Sequence, residues 1–195
     1  MKQYSPSCDQ NKKPILEAIG PYLTHHKNLL EIGSGTGQHA VFFAKNLPDI
    51  IWQASDQYTH LDSINSWISE ENLDNTPKPI ELDVSSTWPN IKFDAVFSAN
   101  TTHIMSWNMV CDLFTGVGNV LESGGLFLLY GPFNYNNAYT SESNARFDLW
   151  LKQQNIQSAI RDFEKLNALA KDANMELIDD IKMPANNRTL VWKKR

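Results

Sequence analysis

The sequence predicts a doubly wound α/β fold: a mostly parallel seven-stranded sheet ending in an antiparallel hairpin. Three observations carry this. Short apolar, β-rich runs alternate with stretches of helical period, a glycine-rich loop joins the first run to the helix after it, and only a few residues separate the last two runs. Strands alternating with helices build parallel sheets covered on both faces. Two strands so closely joined must run antiparallel, because a parallel crossover needs about a dozen residues or more.

In chain order, the segment YSPSCDQNKKP precedes a helix with Ile15, Leu16, Ile19 and Leu23 spaced for packing, and residues 1–27 are expected to cover a pocket. The strand candidates of the first two-thirds are 28–32, 50–54, 79–82, 93–98 and 125–131. Helices are predicted at 38–47 (Val41, Ala44, Leu47), 57–71 (Leu61, Ile64, Trp67, Ile68) and 106–121 (Val110, Leu113, Phe114, Val117, Val120, Leu121), each with apolar residues three or four apart. After Gly131-Pro132 comes a polar loop with Phe133, Tyr135 and Tyr139, then helices near 142–157 and 161–173. Residues 132–160 read as an insertion on the acceptor side, either a lid over a ligand or an ordinary surface loop. MELIDDIKM and RTLVWKK flank the turn-forming PANN and form the hairpin.

Composition excludes several classes. The net charge is -5, and the only basic clusters are Lys12-Lys13 and Lys193-Lys194-Arg195, which argues against a nucleic-acid partner. Cys8 and Cys111 are the only cysteines and lack metal-ligand spacing, so neither a disulfide framework nor a metal site is expected. There is no secretory signal pattern and no apolar run of the ~20 residues that cross a bilayer. The expectation is one domain over 1–195, cytoplasmic and not membrane-bound, with its oligomeric state left open.

The chemistry concentrates in LLEIGSGTGQHAVFFAKNL, residues 29–47. Glycines between a strand and a helix let backbone and the positive helix end approach a ligand. Gly35, Gly37 and Ala40 also fit the dinucleotide pattern G-x-G-x-x-G/A, which keeps an NAD-dependent oxidoreductase as an alternative. Asp56 ends the second strand, where a carboxylate can accept both ribose hydroxyls of a nucleotide or cap the next helix. Asp83 follows the third strand, as a ligand contact or as the start of a turn.

The arrangement Glu31-x-Gly33-x-Gly35-x-Gly37 resembles the first motif of class I S-adenosylmethionine (SAM) methyltransferases, whose fold is Rossmann-like. The resemblance implies that Gly33, Ser34, Gly35 and Gly37 make room for the methionine part and ribose of SAM, while Glu31 balances its ammonium. It implies that Asp56, with Gln57 beside it, holds the ribose. Asp83 would take the adenine amino group, the backbone N–H of Val84 would meet the ring, and Asn100 would reach the pocket. His39 would border the cofactor, and the product would be S-adenosylhomocysteine. FDAVFSANTTHI and VLESGGLFLLYGPF resemble that family's fourth strand and its turn and fifth strand, with Gly124-Gly125 as the turn. More narrowly, NKKPILEAI, EIGSGTGQHAVFFA, WQASD and MPANNRTLVWKK together resemble the methyltransferase-like proteins grouped as domain of unknown function 938.

Methyl transfer needs a base only when the acceptor is protonated. His103, just past the fourth strand, is the candidate, against a purely structural role for the same ring. Family members that methylate exocyclic amines or glutamine carry an Asp/Asn-Pro-Pro-Tyr/Phe clamp where this chain reads Asn100-Thr101-Thr102-His103. That departure points to a small-molecule acceptor, with Trp107 and Arg146 as further candidates for its side of the pocket. A SAM-binding sensor or scaffold without turnover is the non-enzyme alternative.

Overall fold

Leu29 and Leu30 are both fully buried, yet they enter different cores. Successive side chains on a strand point to opposite faces, and a strand buried on both faces reads as a continuous apolar run. The same split recurs at Ala95, Val96 and Phe97 and again at Phe127, Leu128 and Leu129. This is why the central strands are legible as runs rather than as alternations.

The computed structural model describes residues 1–195. The first half runs α1 (Pro6–Leu23), β1 (Asn28–Ile32), α2 (Gln38–Asn46), β2 (Ile51–Asp56), α3 (Tyr58–Glu71), β3 (Ile80–Glu81), β4 (Phe93–Ala99) and α4 (Trp107–Val120). The second half runs β5 (Leu121–Gly131), β6 (Phe133–Asn134), α5 (Glu142–Gln154), β7 (Arg161–Asp162), α6 (Phe163–Asp172), β8 (Met175–Lys182), a 3-10 turn (Pro184–Asn186) and β9 (Arg188–Lys194). Seven strands form one sheet in the order β3-β2-β1-β4-β5-β9-β8. The pairs among β1 to β5 are parallel, and β9 runs antiparallel to both β5 and β8.

Side chains of α1, α2 and α3 (Ile15, Ile19, Phe43, Ile64) cover one face with Trp52 and Phe97. Those of α4 and α6 (Val110, Phe114, Val117, Leu166) cover the other with Phe127 and Trp192. Ser106 caps α4 by accepting from the Met109 N–H at 3.3 Å, and Ser141 caps α5 by accepting from the Asn144 N–H at 3.1 Å. No helix is long and apolar enough to cross a membrane.

Two features differ from the sequence reading. Gly124-Gly125 do not form a turn ahead of the fifth strand. Strand pairing begins directly after α4, with Leu121 opposite Phe93, and the register shifts before Ala95 meets Leu126. The glycines therefore lie in an irregularity within β5. The parallel contact of β6 with β7 was also not visible in the sequence, being only two residue pairs long.

Candidate functional site

The glycine loop after β1 is tied to the end of the neighbouring strand β2. The Gly33 and Ser34 N–H groups both donate to the Ser55 carbonyl at 3.0 Å, and the Gly37 N–H donates to the Ser34 carbonyl at 2.9 Å. The Gly35 N–H donates to Asp56 Oδ2 at 2.6 Å. All three glycines have positive φ, namely 72°, 58° and 97°. A Cβ on Gly37 would lie 2.8 Å from Ile64 Cα, so this glycine lets α2 and α3 approach. A Cβ on Gly35 would meet nothing within 4 Å and would project into open space. These four N–H groups are thus already bonded, and the open space at Gly35 leaves room for a ligand.

That room is a cavity of about 380 Å³ at the C-terminal edge of the sheet, the usual ligand position in open α/β folds. Ser34, Gly35, His39, Asp56, Gln57 and Val84 are on its wall. Asp56 Oδ1 also accepts from the Gln57 N–H at 2.7 Å. Gln57, not Asp56, occupies the N-cap position of α3. His39 is buried, stacked on Phe43 with ring centroids 5.2 Å apart, and its Nε2 lies 2.7 Å from Asn11 Oδ1. Burial lowers its pKa to about 4, so the ring is neutral.

Glu31 and Asp83 stand outside this wall. Asp83 is half-buried at the rim, accepting from Gln57 Nε2 at 2.8 Å and from the Ser85 N–H at 2.9 Å. Glu31 is buried behind the loop, where its Oε2 accepts from Ser34 Oγ and Trp52 Nε1, each at 3.0 Å. Its Oε1 has no partner in the chain. Burial raises the Glu31 pKa to about 7, against the opposing pull of those two hydrogen bonds. A carboxyl raised in the folded state contributes stability below its ordinary pKa of 4.5 and loses it as pH rises through about 7. Wild type is therefore expected to lose about 2–3 kcal/mol relative to Glu31→Gln between pH 5 and pH 8. Urea unfolding of both proteins across that range checks this; parallel curves would reject it.

A second cavity, of about 580 Å³, adjoins the first, and Ser7 and Asn100 line both. Asn100 holds a left-handed conformation, φ 59°, at the end of β4. His103 faces the second cavity, not the first. It is buried, packs edge-to-face on Phe147 at 5.3 Å, and leaves Nδ1 without a hydrogen-bond partner. Burial, and then the nearby Arg161 guanidinium, lower its pKa to about 4.

The N-terminal segment closes one side of both cavities. The Ser5 N–H donates to Gln38 Oε1 at 2.5 Å and the Gln3 N–H to Ser63 Oγ at 2.9 Å, which sets Ser5, Ser7 and Cys8 against the first cavity. The aromatics of 132–144 have structural duties instead of standing free over a ligand. Phe133 is in the core, the Tyr135 hydroxyl donates to Asp180 at 2.8 Å, and the Tyr139 hydroxyl donates to Asp148 at 2.7 Å. Trp107 and Arg146 line neither cavity. Residues not anticipated from sequence, Asn11, Tyr130, Asn144 and Asn187, line the second. The one available signal was MPANN, whose asparagines are on that wall.

Over residues 2–194 the chain matches the model of the family described as protein of unknown function (DUF938). Among solved structures it is similar to an O-methyltransferase family protein from Burkholderia thailandensis, at 12% identity and TM-score 0.85, covering 96% of this chain and 57% of that one. It is similar to human N-acetylserotonin methyltransferase, solved with SAM, at 16% identity and TM-score 0.81, covering 96% and 52%. PigF, solved with S-adenosylhomocysteine, matches at 15% identity and TM-score 0.80, covering 95% and 56%. The chain thus spans a little over half the length of these structures, and the likeness shows a shared fold.

Proposed function

Because this chain belongs to the DUF938 family and has the class I methyltransferase fold, we propose that it is a SAM-dependent methyltransferase acting on a small molecule. The observation that carries the reading is the first cavity, where Asp56 stands beside the open space at Gly35. The donor set fits SAM better than a dinucleotide. A pyrophosphate draws on several free N–H groups at the loop, and here those of Gly33, Ser34, Gly35 and Gly37 are bonded within the chain, leaving that of Thr36. Each Asp56 oxygen accepts one backbone N–H and can accept a ribose hydroxyl as well. Leu82 and Val84 supply an apolar wall for adenine, with Gln57 and Asp83 at its edge.

When bound, SAM supplies an electrophilic methyl group on a sulfonium. The protein's part is to position a nucleophile, exclude water and manage a proton. Asn100, shared by the two cavities, stands where one opens to the other. We assign to His103, on the wall of the second cavity with Nδ1 unpartnered, the hydrogen bond from an acceptor hydroxyl and the uptake of its proton as the new bond forms. Its depressed pKa keeps the ring neutral at working pH, so it orients the nucleophile before transfer and makes only a weak base.

Thermal unfolding with S-adenosylhomocysteine, SAM and NADH in parallel tests the reading. At about 100 times its dissociation constant a ligand stabilises by roughly 2.7 kcal/mol. For a chain of this size that raises the midpoint by about 5–10 °C. The rise is expected with the first two ligands and absent with NADH. A rise with NADH alone would replace this reading with an oxidoreductase.

A further inference from the structure

The second cavity is lined by fifteen residues, and none of them is Lys, Arg, Asp or Glu, in a chain 20% charged. Its polarity comes from the carboxamides of Gln10, Asn11, Asn100, Asn144, Asn186 and Asn187, with Tyr130 and His103. Asn144 Nδ2 donates to the Asn186 carbonyl at 3.2 Å, and Asn187 Nδ2 donates to the Pro184 carbonyl at 3.2 Å. Their side-chain oxygens remain as acceptors. Pro14 lies inside α1 and has no N–H, so the Gln10 carbonyl lacks the donor an α-helix would give it. His103 adds an unpartnered buried ring nitrogen. The apolar part of the wall is the Phe147 ring with Pro14, Pro132 and Pro184.

The wall is held in place at some local cost. Ala185 and Asn186 both have left-handed backbone, φ 56° and 58°. For a residue with a Cβ that conformation is strained, less so for Asn than for Ala, and such strain persists where the surroundings hold it. Here the hold includes Asn186 Nδ2 on Ser143 Oγ at 3.2 Å and the Met183 N–H on the Asn187 carbonyl at 3.0 Å.

We propose that this cavity is the acceptor subsite and that it selects an uncharged molecule donating O–H or N–H hydrogen bonds from a ring laid against Phe147. Carboxylates, phosphates and ammonium groups are rejected, because burying a charge without a countercharge is costly. An anion would also face a wall rich in acceptor oxygens. The inference rests on the methyltransferase reading and narrows its substrate.

Gly131 is not itself on the wall but borders two of its polar atoms, which offers a gentle way to crowd them. A Cβ there would lie 4.0 Å from both Asn100 Oδ1 and His103 Nδ1 and 3.8 Å from Phe133 Cζ, all ordinary contacts. Gly131→Ala therefore places a methyl group between the two polar atoms without a clash.

The experiment saturates the protein with S-adenosylhomocysteine and measures binding of 4-hydroxybenzamide, 4-hydroxybenzoate and tyramine by ligand-observed NMR. The amide is expected to bind roughly tenfold or more tightly than either charged analogue. Gly131→Ala is expected to weaken the amide by a similar factor while keeping the thermal stabilisation by S-adenosylhomocysteine. Asn187→Asp, which puts a negative charge in the wall, is expected to move the preference toward tyramine. Equal or tighter binding of a charged analogue to wild type, no effect of Gly131→Ala, or no binding of any of the three at millimolar concentration overturns the assignment. If stabilisation by S-adenosylhomocysteine survives that outcome, only the acceptor class falls; if it is missing as well, the methyltransferase reading falls with it.

Discussion

Asp56→Ala is expected to weaken binding of S-adenosylhomocysteine by at least about 100-fold while the protein stays folded. The side chain has two jobs that converge. It fixes the loop by accepting the Gly35 N–H at 2.6 Å and the Gln57 N–H at 2.7 Å, and it stands on the wall of the cavity. Hydrogen bonds to a charged group contribute about 1.5–3 kcal/mol each, so two lost ribose contacts amount to roughly 3–6 kcal/mol. A hundredfold change in affinity needs only about 2.8 kcal/mol. Leaving the Gly35 N–H unpaired costs a further ~1–3 kcal/mol of stability, within the usual 5–15 kcal/mol margin of a domain. Titration calorimetry of both proteins measures the effect, with Asp56→Asn expected between them. Unchanged affinity in the alanine variant would remove the carboxylate from the cofactor site.

Gly37→Ala is expected to destabilise the fold by about 2–5 kcal/mol, whereas Gly35→Ala costs only the backbone term. At Gly37 the added Cβ would meet Ile64 Cα at 2.8 Å and Trp67 Cβ at 3.3 Å, with φ 97°. The left-handed backbone costs roughly 1–2 kcal/mol and overpacking typically ~1–3 kcal/mol. At Gly35, φ is 58° and nothing lies within 4 Å, so the methyl enters the cavity instead of the core. Thermal unfolding should show a drop of roughly 5–15 °C for Gly37→Ala. Gly35→Ala should fall by much less and still lose its response to S-adenosylhomocysteine. Similar midpoints for the two variants would contradict the division of labour between these glycines.

The fold was legible because its signals are local. Strands buried on both faces stand out as apolar runs, and helices such as 106–121 carry their period within four turns. Predicted and observed bounds at 28–32, 38–47 and 106–121 differ by no more than a residue at either end. What failed to show was non-periodic. The irregular start of β5 depends on pairing with Phe93, and the β6–β7 contact joins residues 28 apart in sequence through two pairs.

The candidate site divides in the same way. The glycines and the carboxylates Glu31, Asp56 and Asp83 sit at strand ends, so their neighbourhood follows from chain order. Which of them reaches the cavity does not follow, because Glu31 is turned behind the loop by Ser34 and Trp52. The second cavity gathers Asn11, His103, Asn144 and Asn187 from four separate segments. Isolated polar residues carry no period, and only the closed sheet brings them together.

The position of β9 between β5 and β8 bears on how the chain is made. On the ribosome, β5 emerges with one edge unpaired, and its partner Arg188–Lys194 follows roughly sixty residues later. At typical synthesis rates of ~5–20 residues per second, that edge waits several seconds. It belongs to a strand with Leu126 to Tyr130 all buried in the finished protein. An open apolar edge is a template for pairing with another chain. The nascent polypeptide is therefore exposed to mispairing until residues 188–194 emerge, and a holdase that shields residues 121–131 would act in that interval.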